Sequence, residues 1–235
     1  MHARFTDLRS IYIFGGVPES YPMGFPVEGP EQMPMLRQLT IEHLPGYLCA
    51  FDQPSRVHHP KDTALHFYRA DRVFQEVLRT PNEYVARFSK YKAVLTPDCS
   101  MTLGMSPSKR ARQTILSRAV GAVWQSRGLT VIPSIRWADR SDYDLVCSGV
   151  PAKSVIAISS YGSMRDLALR NNFEEGVFEI TQRLSPVGLV VYGSISAEVF
   201  GALSKMTTVA HFTSPTSRNT SLNQLIELKD IDSLF

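Results

Sequence analysis

Four stretches in succession decide how this chain folds: SVIAIS (154–159), YGS (161–163), NNFEEGVFEITQRL (171–184) and GLVVY (188–192). The first and last are short and continuously apolar, the pattern of parallel strands buried on both faces. Between them, Phe173, Val177, Ile180 and Leu184 recur at helical spacing. Parallel neighbours need a crossover, and this helix supplies it. Asn172 is the expected N-cap, with Glu174 and Glu175 complementing the helix dipole in the first turn,.

Outward from this βαβ unit the pattern repeats. Strands are expected at 47–51, 64–68, 93–96, 130–135, 155–159, 189–192 and 209–212. Helical stripes lie between them: Val73, Phe74, Val77 and Leu78, then Ala111, Ile115, Ala119 and Ala122. Pro107 after Ser106 is a strong helix start, and that helix runs to about residue 127,. The expected fold is α/β: a single domain of mostly parallel βα units, as a partial barrel or an open sheet, with a proline-rich N-terminal extension. Residues 1–46 hold an N-terminal strand, IYIFGGV (11–17), and a proline-rich arm; residues 47–235 hold the α/β domain. The arm carries Pro18, Pro22, Pro26, Pro30 and Pro34, a spacing expected to block helices and sheet ladders alike,. It reads as a wrapping surface loop, or as a lid or partner-binding arm.

The 235 residues are 43% hydrophobic and 20% charged, a globular composition that excludes collagen, coiled-coil and mucin-like classes,. The net charge is +3 and the pI about 8.8, which permits a nucleic-acid or phosphate partner without demanding one,. Cys49, Cys99 and Cys147 are odd in number and widely spaced, so neither a disulfide framework nor a cysteine zinc site is expected,. No signal peptide and no membrane span is legible. The expected location is the cytoplasm, with no membrane partner.

Ligand sites in α/β folds form at the carboxyl ends of parallel strands. The strand ends carry, in chain order, Arg69 and Asp71, then Asp98, Cys99 and Ser100, then Arg136 and Trp137, then Ser160, Tyr161 and Gly162, then Tyr192, Gly193 and Ser194, with His211 on the last strand. Arg136 suits a phosphate or carboxylate, and Trp137 offers a stacking face. Glycine-serine turns expose backbone N–H groups. Asp98 and Asp71 suit acid–base work or a shared divalent metal. The ordinary alternatives are turn-ordering aspartates and a structural Arg136 ion pair. On the long helix, Lys109, Arg112 and Arg127 group on one face, either solvated or touching a phosphate backbone,. Arg118 falls at the border of the apolar stripe and is expected to reach inward.

Six segments carry a resemblance: HFYRAD (66–71), VLTPDCS (94–100), SRAVGAVWQ (117–125), VIPSIRW (131–137), AISSYG (157–162) and VVYGS (190–194). Together they resemble an uncharacterised domain family of bacterial phages, prophages and plasmids, with family patterns H-F-x-x-D-D, S/T-P-D-F-S, N-R-x-x-G, V-I-P-x-x-R-W, S-T-H-G and V-Y-G-S. The matching positions are Asp71, Pro97, Asp98, Ser100, Arg118, Arg136, Trp137, Gly162, Tyr192 and Gly193. Three positions depart: Ala70 stands for an aspartate, Cys99 for an aromatic and Tyr161 for a histidine. The resemblance implies a mobile-element protein in a bacterial host and gives no reaction. The leading expectation is action on nucleic acid or nucleotides through the strand-end site, with Asp98 and Asp71 as acid–base groups or metal ligands. The alternatives are a non-enzymatic protein that inhibits or redirects a host protein, and a sequence-tolerant DNA binder using the basic helix.

Overall fold

The computed structural model describes residues 25–213. The expected strand at 11–17 and the first part of the proline-rich arm lie outside the described residues.

Seven parallel strands succeed one another: β3 (Tyr47–Ala50), β4 (Thr63–His66), β5 (Ala93–Leu95), β6 (Val131–Ile132), β7 (Val155–Ser159), β8 (Gly188–Tyr192) and β9 (Thr208–Phe212). Their spatial order is their chain order, β3-β4-β5-β6 and β7-β8-β9. Ser134 bridges to Ala157 between the two sets, where Ile135 N–H donates to Ala157 O and Ala157 N–H donates to Pro133 O, both at 2.8 Å. The helices α1 (Asp71–Arg79), α2 (Val85–Phe88), α3 (Pro107–Ser126), α4 (Tyr143–Cys147), α5 (Leu167–Leu184) and α6 (Ala197–Ser204) fall between the strands. Right-handed βα repetition in consecutive order curls a sheet toward a barrel. Here Tyr68, just past β4, stacks on Tyr192 of β8 with ring centroids 4.9 Å apart. Side chains from strands four places apart therefore touch, which a flat sheet would not allow, and the strands curl into an incomplete barrel,.

Alternation along the strands builds three apolar layers. Ala64, Ala93, Leu95, Ile132, Val155, Ala157, Val190, Tyr192, Ala210 and Phe212 point inward and form one buried cluster. Their neighbours Leu65, Val94 and Val131 point outward under α1 and α3, while Ile156, Ile158, Leu189, Val191 and Val209 point outward under α4, α5 and α6. This is why β7 and β8 read as unbroken apolar runs. Four of the inward residues are alanines, so the interior is narrow and filled by its own side chains,. Leu39 and Leu44 belong to the same cluster. Leu44 packs against Gly188 at the start of β8, closing the amino-terminal end.

Several expectations need correction. The last residues of the arm form a hairpin, β1 (Val27–Glu28) with β2 (Met33–Pro34), despite the prolines. Pro34 is tolerated because the pair is two residues long, and Met33 is fully buried beneath it,. Glu28 accepts hydrogen bonds from Ser148 Oγ and Gly149 N–H, which fastens the hairpin to the body. The 130–135 strand shrinks to Val131–Ile132 because Pro133 interrupts it. Helix α5 begins at Leu167 with Asp166 as its N-cap, accepting from Leu169 N–H at 2.9 Å. Asn172 is inside that helix, and its side chain donates to Ala138 O. Val73 is exposed rather than part of the buried α1 stripe.

Candidate functional site

The β5–α3 loop runs from Thr96 to Ser106, and its first turn is fixed from outside. Asp71, in the first turn of α1, accepts Ser100 N–H at 3.2 Å and Ser100 Oγ–H at 2.7 Å. The Asp71 carboxylate is a loop-ordering group. Anchoring Ser100 turns Asp98 and Cys99 inward, where both are buried.

Arg136, one residue past Ile135, donates from Nη1 to Asp98 Oδ2 at 2.8 Å. Asp98 is 7% exposed and the Arg136 side chain 29%. Burial raises the Asp98 carboxyl above its ordinary range, and the Arg136 guanidinium draws it partly back. The Asp98 charge in turn raises Arg136. Asp71 also bears electrostatically on Asp98, yet each carboxylate already has its own partner, Ser100 or Arg136. Among the described residues no three histidine, cysteine or acidic side chains gather to hold a metal. Asp71 thus holds Ser100, and Asp98 holds Arg136.

Arg136 faces a pocket of about 370 Å³. Its walls are the loop residues Met101–Gly104, Ile135–Ala138 after β6, Ser159, Gly162 and Ser163 after β7, and Leu169, Asn172 and Phe173 of α5. Small-molecule sites span about 300–1,000 Å³ and combine apolar walls with a few placed polar groups, as this one does. The expected stacking platform is not available, because the Trp137 ring is 9% exposed. Phe173 stacks against it at 5.9 Å and Tyr143 meets it edge-on. Its Nε1–H donates to Asn172 O at 3.2 Å. Trp137 is a wall of the pocket. Tyr161, next to the pocket-lining Gly162 in the chain, is 52% exposed, and Leu103 and Leu167 are exposed as well.

Met101 and Arg136 also line a second, narrow cleft with Cys99, Gln113, Thr114, Ser117, Arg118 and Ser134. Arg118 reaches inward as expected and is 1% exposed. Its Nη1 donates to Ser134 O at 3.0 Å and its Nη2 to Val146 O at 2.9 Å, while Nε has no acceptor. No carboxylate pairs with it among the described residues, and burial lowers it to about 10. Burial pushes the Cys99 thiol up, with Asp71 and Asp98 adding to the effect, so this thiol stays protonated. Lys109, Arg112 and Arg127 lie on the exposed side of α3.

The remaining expected residues lie at the ends of β7 and β8. Ser160 is buried and donates its N–H to Tyr192 O, and its Oγ has no partner. Gly162 and Gly193 adopt positive φ. Gly193 donates its N–H to Phe212 O, and its carbonyl accepts from His211 Nε2 at 2.6 Å. Tyr192 is buried in the barrel mouth, and Ser194 is exposed. Of the expected set, Arg136, Trp137 and Gly162 line the larger pocket and Arg118 and Arg136 the cleft. Asp98 stands behind Arg136. Tyr192 belongs to an aromatic plug inside the barrel, and Gly193 bonds to Phe212 and His211 of β9.

Sequence reasoning missed that plug. Tyr68 stacks on both His66 and Tyr192, whose own rings meet at a tilt, and His66 Nδ1 accepts Tyr68 N–H at 3.1 Å. Burial, with a smaller push from Arg69, lowers the imidazole to about 3, so it is neutral near pH 7. Ser134 Oγ–H donates to Tyr68 OH at 3.3 Å, which ties the plug to the arginine cleft. Tyr68 sits inside the HFYRAD segment and Ser134 inside VIPSIRW. Also missed was Arg110, whose Nη1 donates to Asp139 and Asp142 at 2.9 Å each and pins the β5–α3 loop to the β6–α4 loop.

Comparison with known proteins agrees with the resemblance carried by the six segments. The profile of the domain of unknown function DUF4417 matches residues 25–213. Two similar proteins, both called Gene 1 protein, come from Mycobacterium phages L5 and D29. Each is 31% identical over 175 residues, which is 74% of this chain, 76% of the L5 protein and 64% of the D29 protein. No solved structure matches. Among the described residues no helix is long and apolar enough to cross a membrane. With its profile match spanning the whole described fold, the chain belongs to the DUF4417 family.

Proposed function

We propose that this protein binds a phosphate-bearing ligand of the nucleotide or nucleic-acid class in the strand-end pocket, with Arg136 as the phosphate-binding residue. One observation carries the reading: a partly exposed guanidinium, fixed from behind by a buried carboxylate, faces a pocket of about 370 Å³ at the carboxyl ends of parallel strands. Only Nη1 of Arg136 is used by Asp98, so a fork of N–H donors is left for an anion,. Asp98 positions Arg136 and lines neither cavity. The phage origin of the two similar proteins is consistent with work on nucleotides or nucleic acid in an infected cell.

The test is calorimetric titration of deoxynucleotides and a short single-stranded oligonucleotide into the full chain. Arg136→Ala should weaken binding at least tenfold. Asp98→Asn should weaken it less, because an acceptor remains for Arg136. Removing the exposed cation Arg127 should leave binding unchanged. Binding that survives Arg136→Ala and falls with Arg127→Ala would move the interface to α3 and refute the pocket reading. A host protein co-purifying in stoichiometric amount after nuclease treatment, with no nucleotide affinity, would refute it as well.

A further inference from the structure

Arg118 and Arg136 line one cleft, and with Arg110 they are neutralised unequally. Arg110 has two carboxylates, Arg136 has one, and Arg118 has none among the described residues. A buried guanidinium is costly unless an anion and a full set of acceptors meet it. Two carbonyls meet Arg118 in part, and its Nε remains open. The cleft beside it has room for one water-sized sphere, about 10 Å³,. Its lining is polar on most sides, with Gln113, Thr114, Ser117, Ser134 and Arg136. Met101 and Arg136 line both this cleft and the larger pocket, so the two spaces share Arg136 as a common wall.

We propose that the cleft takes one terminal oxygen of a phosphomonoester, shared between Arg118 and Arg136, while the nucleoside it belongs to lies in the larger pocket. This rests on the phosphate reading of Arg136. It goes beyond that reading by naming the ligand: a nucleoside 5′-monophosphate, free or as the 5′ end of a strand. Donor count and size both select it. Asp98 already offsets Arg136, but a monoester presents three terminal oxygens, one for the cleft and two for the remaining N–H donors of Arg136, where a diester has two and a second ester arm to accommodate,. The pocket lies at the small end of ligand sites, suited to one nucleoside rather than a duplex,. Leu103, which lines the pocket and is exposed, offers an apolar surface for the base,.

The experiment titrates the full chain with the four deoxynucleoside 5′-monophosphates, the matching nucleosides, a dinucleoside monophosphate diester, and a single-stranded octamer with and without a 5′-phosphate. The expected result is at least tenfold tighter binding of the monoesters than of nucleoside or diester. A matching gain for the 5′-phosphorylated octamer would identify strand ends as the ligand, and its absence would identify free nucleotides; either supports the site. Equal affinity for diester and monoester would overturn the inference and leave the Arg136 reading standing. No binding by any of them would overturn both. Arg118→Gln should bring monoester and nucleoside affinities together, and a folded Arg118→Gln protein that keeps the preference would overturn the role of Arg118. If that variant fails to fold, the ligand series on the unaltered protein decides alone.

Discussion

Gly176→Ala isolates the packing beneath the pocket. A Cβ at Gly176 would lie 2.2 Å from Nε1, 2.3 Å from Cε2 and 2.5 Å from Cζ2 of Trp137. The indole cannot tip away freely, because Phe173 stacks against it and Tyr143 meets it at 73°. Moving it also breaks the Nε1–H bond to Asn172 O. Overpacking of this kind costs about 1–3 kcal/mol, and an orphaned buried N–H adds about 1–3 kcal/mol. Against this stands a helix-propensity gain of about 1 kcal/mol for Ala over Gly. The net is a loss of about 3 kcal/mol, or about 6–12 °C in Tm for a chain of this size. Urea unfolding of the full chain measures it, with constant m-values as the check that only stability changed. The same contact implies a coupling: in a Trp137→Phe background the bicyclic ring is gone, and Gly176→Ala becomes neutral or stabilising. An unchanged midpoint in the native background, or the same loss in both backgrounds, would refute the steric account.

Three further outcomes rest on the same packing. His66 is held neutral in the folded chain down to about 3, whereas the unfolded chain takes up the proton near 6.5,. Stability present above pH 6.5 is therefore lost as pH falls through that window, by up to about 1.4 kcal/mol per unit. Unfolding curves at pH 7, 5.5 and 4.5 should show a steeper loss for the native protein than for His66→Phe, which keeps the ring stack; equal slopes would sink the assignment. Asp142 is 4% exposed and accepts from Ala138 N–H, Asp139 N–H and Arg110. Its replacement by alanine should cost about 3 kcal/mol, and a loss under about 1 kcal/mol by chemical denaturation would show that Asp139 suffices for Arg110. Gly193→Ala and Gly201→Ala should move Tm in opposite directions. Gly193 has φ +102° with Ser160 Oγ 2.5 Å from its added Cβ, at a cost of about 1–3 kcal/mol,. Gly201, inside α6 with nothing within 4 Å, should gain up to about 1 kcal/mol,; equal shifts would contradict the described backbone.

The strands were legible where burial on both faces left only apolar residues, as in β7 and β8. The start of α5 was not. Asn172 with Glu174 and Glu175 after it is a sound capping signal, but Asp166 starts the helix six residues earlier. The intervening turn lies on the exposed rim, where Leu167 is 69% exposed, so apolar periodicity cannot register it. Among site residues, Arg136 was legible because it directly follows a strand. Trp137 was legible as a residue but not as a wall, since the ring that covers it, Phe173, comes from a helix 36 positions later. Asp71 was read as chemistry although its partner, Ser100, lies 29 positions away. Hydropathy also treats every arginine alike, so Arg110 did not stand out, its two carboxylates being 29 and 32 positions away.

That unequal treatment of arginines separates scaffold from site. Arg110 joins two loops through Asp139 and Asp142, which is how a fold uses a cation for architecture. Arg136 keeps one partner and one open side. Arg118 is buried deepest and has carbonyls alone. A fold selected only for stability would replace such a residue with an apolar one of similar volume, at no cost or at a gain. Its presence in the wall of a polar cleft that shares Arg136 with the pocket makes sense if the missing charge arrives with a ligand. Ligand binding then neutralises a charge the folded chain otherwise leaves in a low dielectric, and a ligand that meets Arg118 must raise Tm in proportion to the logarithm of its concentration over Kd.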